Sequence, residues 1–123
     1  MVSYDFDEEL GILKFHFIGQ ITIKDIFENA LTIVQNDALP RDVKLLAYAD
    51  KADFVFSTEE LDGFWKALAA GERKFTSVKE AIIVARPKET ALTYISSKSA
   101  RQMDHFKFSV FSTEAAAIAW LME

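Results

Sequence analysis

The chain reads as an α/β protein built on one five-stranded, mostly parallel sheet, in the order ββαβαβαβα with helices on both faces. Three observations predict it. Lys44-Leu-Leu-Ala-Tyr-Ala-Asp50 and Glu80-Ala-Ile-Ile-Val-Ala85 are near-continuous apolar runs, the pattern of strands buried on both sides. Stretches of helical period alternate with these runs over short connections, which right-handed crossovers wind into a single sheet. Near the C-terminus the strand-like Phe106-Lys-Phe-Ser-Val-Phe111 gives way at once to the alanine-rich segment 114–122, a strand followed by a closing helix.

Each element has its own warrant. Residues 2–6 alternate weakly, Asp7-Glu-Glu9 and Gly11 make a turn, and Ile12 to Ile18 alternates through Phe15 and Phe17, so a hairpin is expected, ending at Gly19-Gln20. Thr22 then caps a helix whose apolar positions Ile23, Ile26, Phe27, Ala30, Leu31 and Val34 recur at three and four residues, with Ile21 and Ile26 as a hydrophobic staple. Pro40, inside 37–42, stops it ahead of the first buried run. Ser57-Thr-Glu-Glu60 matches a capping box, Phe56 can staple to Leu61, and Gly71 offers a left-handed stop. The helix so defined buries Leu61, Phe64, Trp65 and Leu68. Arg86-Pro87 closes the second run, a weaker helix covers 88–103, and Ser112 is the expected cap of the last helix.

Composition narrows the function classes. A length of 123 residues, half of them hydrophobic, suits a single domain over 1–123 with an ample core. There is no cysteine, hence no disulfide framework, thiolate nucleophile or cysteine zinc site. No apolar stretch approaches the roughly 20 residues that span a bilayer, and no basic segment precedes an apolar run at the start, so a cytoplasmic protein is expected. A formal charge of −5 is the wrong sign for neutralising a phosphate backbone, which argues against a nucleic-acid partner. The charge is uneven, net −8 over residues 1–62 and +3 over 63–123, an asymmetry that either orients a protein partner or sits on separate solvated faces.

Gly19-Gln-Ile-Thr-Ile-Lys-Asp-Ile26, the Leu-Ala-Tyr-Ala-Asp50 strand and Phe-Ser-Thr-Glu-Ala-Ala-Ala-Ile-Ala-Trp-Leu121, taken with the element order, resemble the small stand-alone SpoIIAA-like proteins of the STAS superfamily, named for sulfate transporters and anti-sigma-factor antagonists. The resemblance implies a compact α/β domain that is not an enzyme and acts through protein contacts or by binding an apolar ligand such as a lipid. In the antagonists a phosphorylatable serine follows an aspartate and precedes a glycine at the start of the second helix. Ser57 holds the matching place, with Phe56 instead of the aspartate and no glycine after it. A phosphate there would meet free helix N–H groups but also Glu59 and Glu60, and from its residues alone the site reads as a cap.

Two sets of residues are candidates for function. In open α/β sheets ligands lie beyond the carboxyl ends of the strands; that rim would carry Asp50, Lys51, Asp53, Ser57, Thr58, Arg86, Thr90, Ser112 and Thr113, with Asp50 and Arg86 able to pair across it. It is either a ligand site or a row of caps with one surface ion pair. The second set is apolar: Phe54, Val55 and Phe56 in a connecting segment, with Phe64 and Trp65 in the helix that follows, forming either a lid on the core or the mouth of a pocket. His16 and His105 have no metal-ligand spacing, and the four glycines form no phosphate loop, so neither a metal nor a nucleotide cofactor is expected. The chain is thus expected to be a regulatory or binding module working through protein contacts. The alternative is a small apolar ligand held near Phe54, Phe56, Phe64 and Trp65.

Overall fold

Gly11, in the left-handed region at φ 67°, closes the turn between β1 (Val2–Asp7) and β2 (Ile12–Ile21), a conformation that costs little without a Cβ. The two strands pair antiparallel from Val2 opposite Phe17 to Asp7 opposite Ile12. In the computed structural model, which describes residues 1–123, there follow α1 (Ile23–Val34), β3 (Asp42–Phe54), α2 (Thr58–Gly71), β4 (Ser77–Ile83), α3 (Pro87–Ala100), β5 (Phe106–Phe111) and α4 (Glu114–Leu121). The strands lie side by side in chain order, and every pair after the first is parallel.

That order decides where the helices go. Each crossover from β2 to β5 steps the sheet in the same direction, so right-handedness puts α1, α2 and α3 on one face. Their residues Ile33, Leu61, Phe64, Trp65 and Leu92 share the main core with Phe15, Phe17, Leu45 and Ile82 of the sheet. Only α4, which follows the last strand, lies on the other face, where Ala117 and Leu121 pack on Ile12, Leu46, Ala81 and Ile83. Both faces carry helices as expected, but three to one. The part of the second face that α4 leaves open carries His16, stacked at 4.3 Å on Tyr48 and facing away from the main core.

Several boundaries differ from the sequence reading, each for a physical reason. Gly19 does not end β2 but takes φ 76° inside it, and the strand runs on to Ile21 opposite Phe54. β3 likewise continues to Phe54 through a bulge, since His16 pairs with Tyr48 whereas Ile18 pairs with Lys51. The extra residue reverses the alternation, so Ala52 and Phe54 join Leu45, Ala47 and Ala49 in the main core. Gly71 is not left-handed; α2 ends with Glu72 in an extended conformation at φ −77°, ψ 124°. The cap of α4 is Thr113 rather than Ser112, its Oγ1 accepting from the Ala116 N–H at 3.3 Å. The runs Leu45 to Ala49 and Ala81 to Ala85 are buried except for the half-buried Tyr48 and the exposed Ala85, whereas residues 108–110 of the edge strand β5 are only half-buried.

Candidate functional site

The main core is not filled. Between the sheet and α1, α2 and α3 lies a cavity of about 110 Å³ whose lining is mostly apolar. β2 contributes Phe17, β3 contributes Leu45 and Phe54, and β5 contributes Phe106 and Phe108. Ile26 and Ile33 come from α1, Leu61, Phe64, Trp65 and Leu68 from α2, and Leu92 from α3. For scale, an engineered apolar cavity of about 150 Å³ holds benzene. The rings brace one another edge to face, with Trp65 5.3 Å from Phe106 and 5.5 Å from Phe64 between centroids. The Trp65 indole N–H donates to Ser96 Oγ at 3.0 Å, which fixes the ring and satisfies its one donor.

A shallower groove of about 370 Å³ runs between α1 and α2 on the outside. It shares Ala30, Val34, Phe64, Leu68 and Glu72 with the inner cavity, so these side chains are the wall between the two. Phe27 and Leu31 stand exposed along it, and the Phe27 ring meets Phe64 at 5.1 Å.

One residue in the lining breaks the apolar pattern. Glu80 sits on β4 between Val78 and Ile82, opposite Leu45 of β3 and Phe108 of β5, and it lines the cavity. It is half-buried, and desolvation by the surrounding protein, with no hydrogen bond or counter-charge beside it, pushes its carboxyl up to about 8. The other polar groups of the lining have partners. Asn29 Oδ1 accepts from the Tyr4 hydroxyl at 2.8 Å, and Thr93 Oγ1 donates to the Thr90 carbonyl at 2.9 Å. Glu72 accepts from the Phe75 N–H at 2.9 Å and pairs with His105 Nε2 at 2.8 Å. Burial raises the Glu72 carboxyl, but these two partners, with the Lys74 N–H, bring it below its ordinary range. His105, in the turn before β5, is thus tied to the end of α2.

The sequence-predicted residues divide between this cavity and the rim. Phe54, Phe56 and Trp65 line the cavity, as does Phe64, whereas Asp50, Asp53, Ser57, Thr58, Arg86 and Thr90 do not. Phe54 is 4% exposed and belongs to β3 rather than to a connecting segment; Phe56 is half-buried, and Val55 faces solvent. On the rim Asp50 and Arg86 do not pair. Arg86 reaches the Ala52 carbonyl and, at 3.5 Å, Glu89; Lys88 pairs with Asp53 at 2.5 Å, which lowers the Asp53 carboxyl. Glu89, 1% exposed at the start of α3, accepts the Phe54 N–H at 3.1 Å and so ties that helix to the end of β3. Thr90 Oγ1 donates to the Arg86 carbonyl at 2.8 Å. The Ser57 hydroxyl accepts the Glu60 N–H at 3.1 Å while Glu60 accepts the Ser57 N–H at 2.9 Å, a closed capping box beside the exposed Thr58.

Sequence reasoning missed Glu80, reading it as the first residue of a buried run. The signal was parity: Val78, Glu80 and Ile82 share one face of β4, and Val84 just beyond its end joins the same core, so Glu80 is the polar member of an otherwise hydrophobic row.

Five strands in chain order with a three-to-one division of helices, closed by a C-terminal helix, make a single α/β domain on a mostly parallel sheet. The SpoIIAA-like family model matches residues 12–122, and the chain belongs to that family. Among solved structures it is similar to an uncharacterized protein of the DUF3478 family with a SpoIIAA-like fold from Shewanella loihica PV-4. The identity is 15% and the TM-score 0.60, over 98% of this chain and 92% of that one. A search of functionally curated proteins gives no match. No helix is long and apolar enough to cross a membrane.

Proposed function

We propose that this chain is a non-enzymatic binding module that takes a small apolar ligand into the cavity between its sheet and α1, α2 and α3. The observation that carries the reading is the cavity itself. Eighteen of its 23 lining residues are hydrophobic, and they include all four aromatic residues that the sequence marked as a pocket mouth. Cavities of this kind bury most of a ligand's surface and orient it with a few polar groups. Protein contacts, ranked first from the sequence, draw support from the family and from the exposed start of α2 at Ser57. The cavity favours the ligand.

The test is calorimetric titration with 1-octanol of the wild type and of Leu45→Phe, whose added ring projects into the cavity. The wild type is expected to bind, and the variant to bind at least tenfold more weakly with a melting temperature close to that of the parent. Equal binding by both proteins, or none by the wild type, would remove the cavity as the site.

A further inference from the structure

Glu80 adds a head-group requirement to the apolar ligand. Resting on the reading above, we infer that the cavity is built for a lipophilic primary amine, whose ammonium group pairs with the Glu80 carboxylate while its hydrocarbon chain lies among the aromatic rings. Three observations lead there. Glu80 lines the cavity, half-buried and with no hydrogen bond or ion pair of its own, so it keeps its hydrogen-bonding capacity for whatever enters. No lysine, arginine or histidine is among the lining residues, which include two carboxyls, Glu72 and Glu80; an anionic head group would find no counter-charge, and a cationic one would. Eight aromatic side chains, Trp65 among them, contribute to the same lining, and their ring faces favour an ammonium over an uncharged group of similar shape. The outer groove along Phe27 and Leu31 shares Ala30, Val34, Phe64, Leu68 and Glu72 with the cavity.

The groups facing Glu80 leave it as the residue that titrates on binding. Across the cavity α1 presents the Asn29 amide, α3 the Thr93 and Ser96 hydroxyls, and the adjoining strands Leu45 and Phe108, none of which ionises near neutrality. Glu72, at the end of α2, is already ionised through its bonds to Phe75 and His105. An alkylammonium that pairs with Glu80 must therefore displace the carboxyl proton to solvent. The balance is one ammonium and one carboxylic acid in, one ion pair and one released proton out.

The experiment compares octylamine, 1-octanol and octanoate by titration calorimetry at pH 6.5, in two buffers of different ionisation enthalpy, on the wild type and Glu80→Gln. Octylamine is expected to bind at least tenfold more tightly than 1-octanol and to release close to one proton per ligand. Octanoate should bind most weakly, and Glu80→Gln should erase the preference for the amine while retaining 1-octanol. If 1-octanol binds but octylamine binds no better, or binds without proton release, the amine inference fails and the apolar-cavity reading stands. If octanoate binds tightest, the head-group assignment is overturned in favour of a fatty acid. If none of the three binds, both inferences fall. Proton release is measured on the wild type, so the test holds even where Glu80→Gln alters folding.

Discussion

At position 80 the chain places a carboxyl where strand alternation calls for a hydrophobe, and the consequence is a pH-dependent stability. The folded state keeps the Glu80 proton up to about pH 8, whereas an unfolded glutamate loses it near pH ~4.3. Because the native state then holds more protons than the unfolded one, Glu80's contribution is complete below the unfolded value and is lost as pH rises toward 8. By pH 7 the loss amounts to roughly 3–4 kcal/mol. The difference in urea-unfolding free energy between wild type and Glu80→Gln should therefore grow in favour of the variant from pH 5 to pH 8. A difference independent of pH would contradict the desolvated surroundings of the carboxyl. Phe54 and Phe56 separate at the same scale. Phe54 is buried among Phe17 and Phe56, so Phe54→Ala should cost about 3–5 kcal/mol in chemical denaturation, and the half-buried Phe56 less than half of that. Equal losses would mean that Phe56 covers core rather than lining an accessible cavity.

Among the elements, what could be read from the sequence was whatever is decided within a few residues. Thr22 with Asp25 and Ser57 with Glu60 both form reciprocal capping boxes, and of these the second was legible from Ser57-Thr-Glu-Glu60 alone. Ser57→Ala should accordingly lower stability by about 1 kcal/mol, measured by thermal melts; no change would mean that the box carries no weight in the folded protein. Features decided by pairing partners were not legible. The bulge in β3 depends on its register with β2, and only the bulge turns Phe54 inward, which is why the segment read as a loop. The tie from Glu89 to the Phe54 N–H joins residues 35 apart in sequence, and Arg86 turns to Glu89 and the Ala52 carbonyl instead of Asp50. The aromatic half of the candidate site was visible as an unexplained apolar cluster. Its acidic member was hidden because Glu80 heads a run that is otherwise apolar.

At the scale of the whole molecule, chain-order strands and right-handed crossovers place three helices on one face, and the single sheet-to-helix layer there is broad enough to leave an unfilled core. Such a void forfeits packing unless something occupies it, since each cavity lining loses contacts on its open side. The most direct test of its occupation is an amide chemical-shift titration of the wild type with 1-octanol. The account predicts shifts concentrated on residues of the cavity wall, with Leu45, Phe54, Trp65, Glu80 and Phe108 foremost and the α4 face around Ala117 unmoved. Shifts scattered over both faces, or confined to the exposed groove at Phe27 and Leu31, would contradict it.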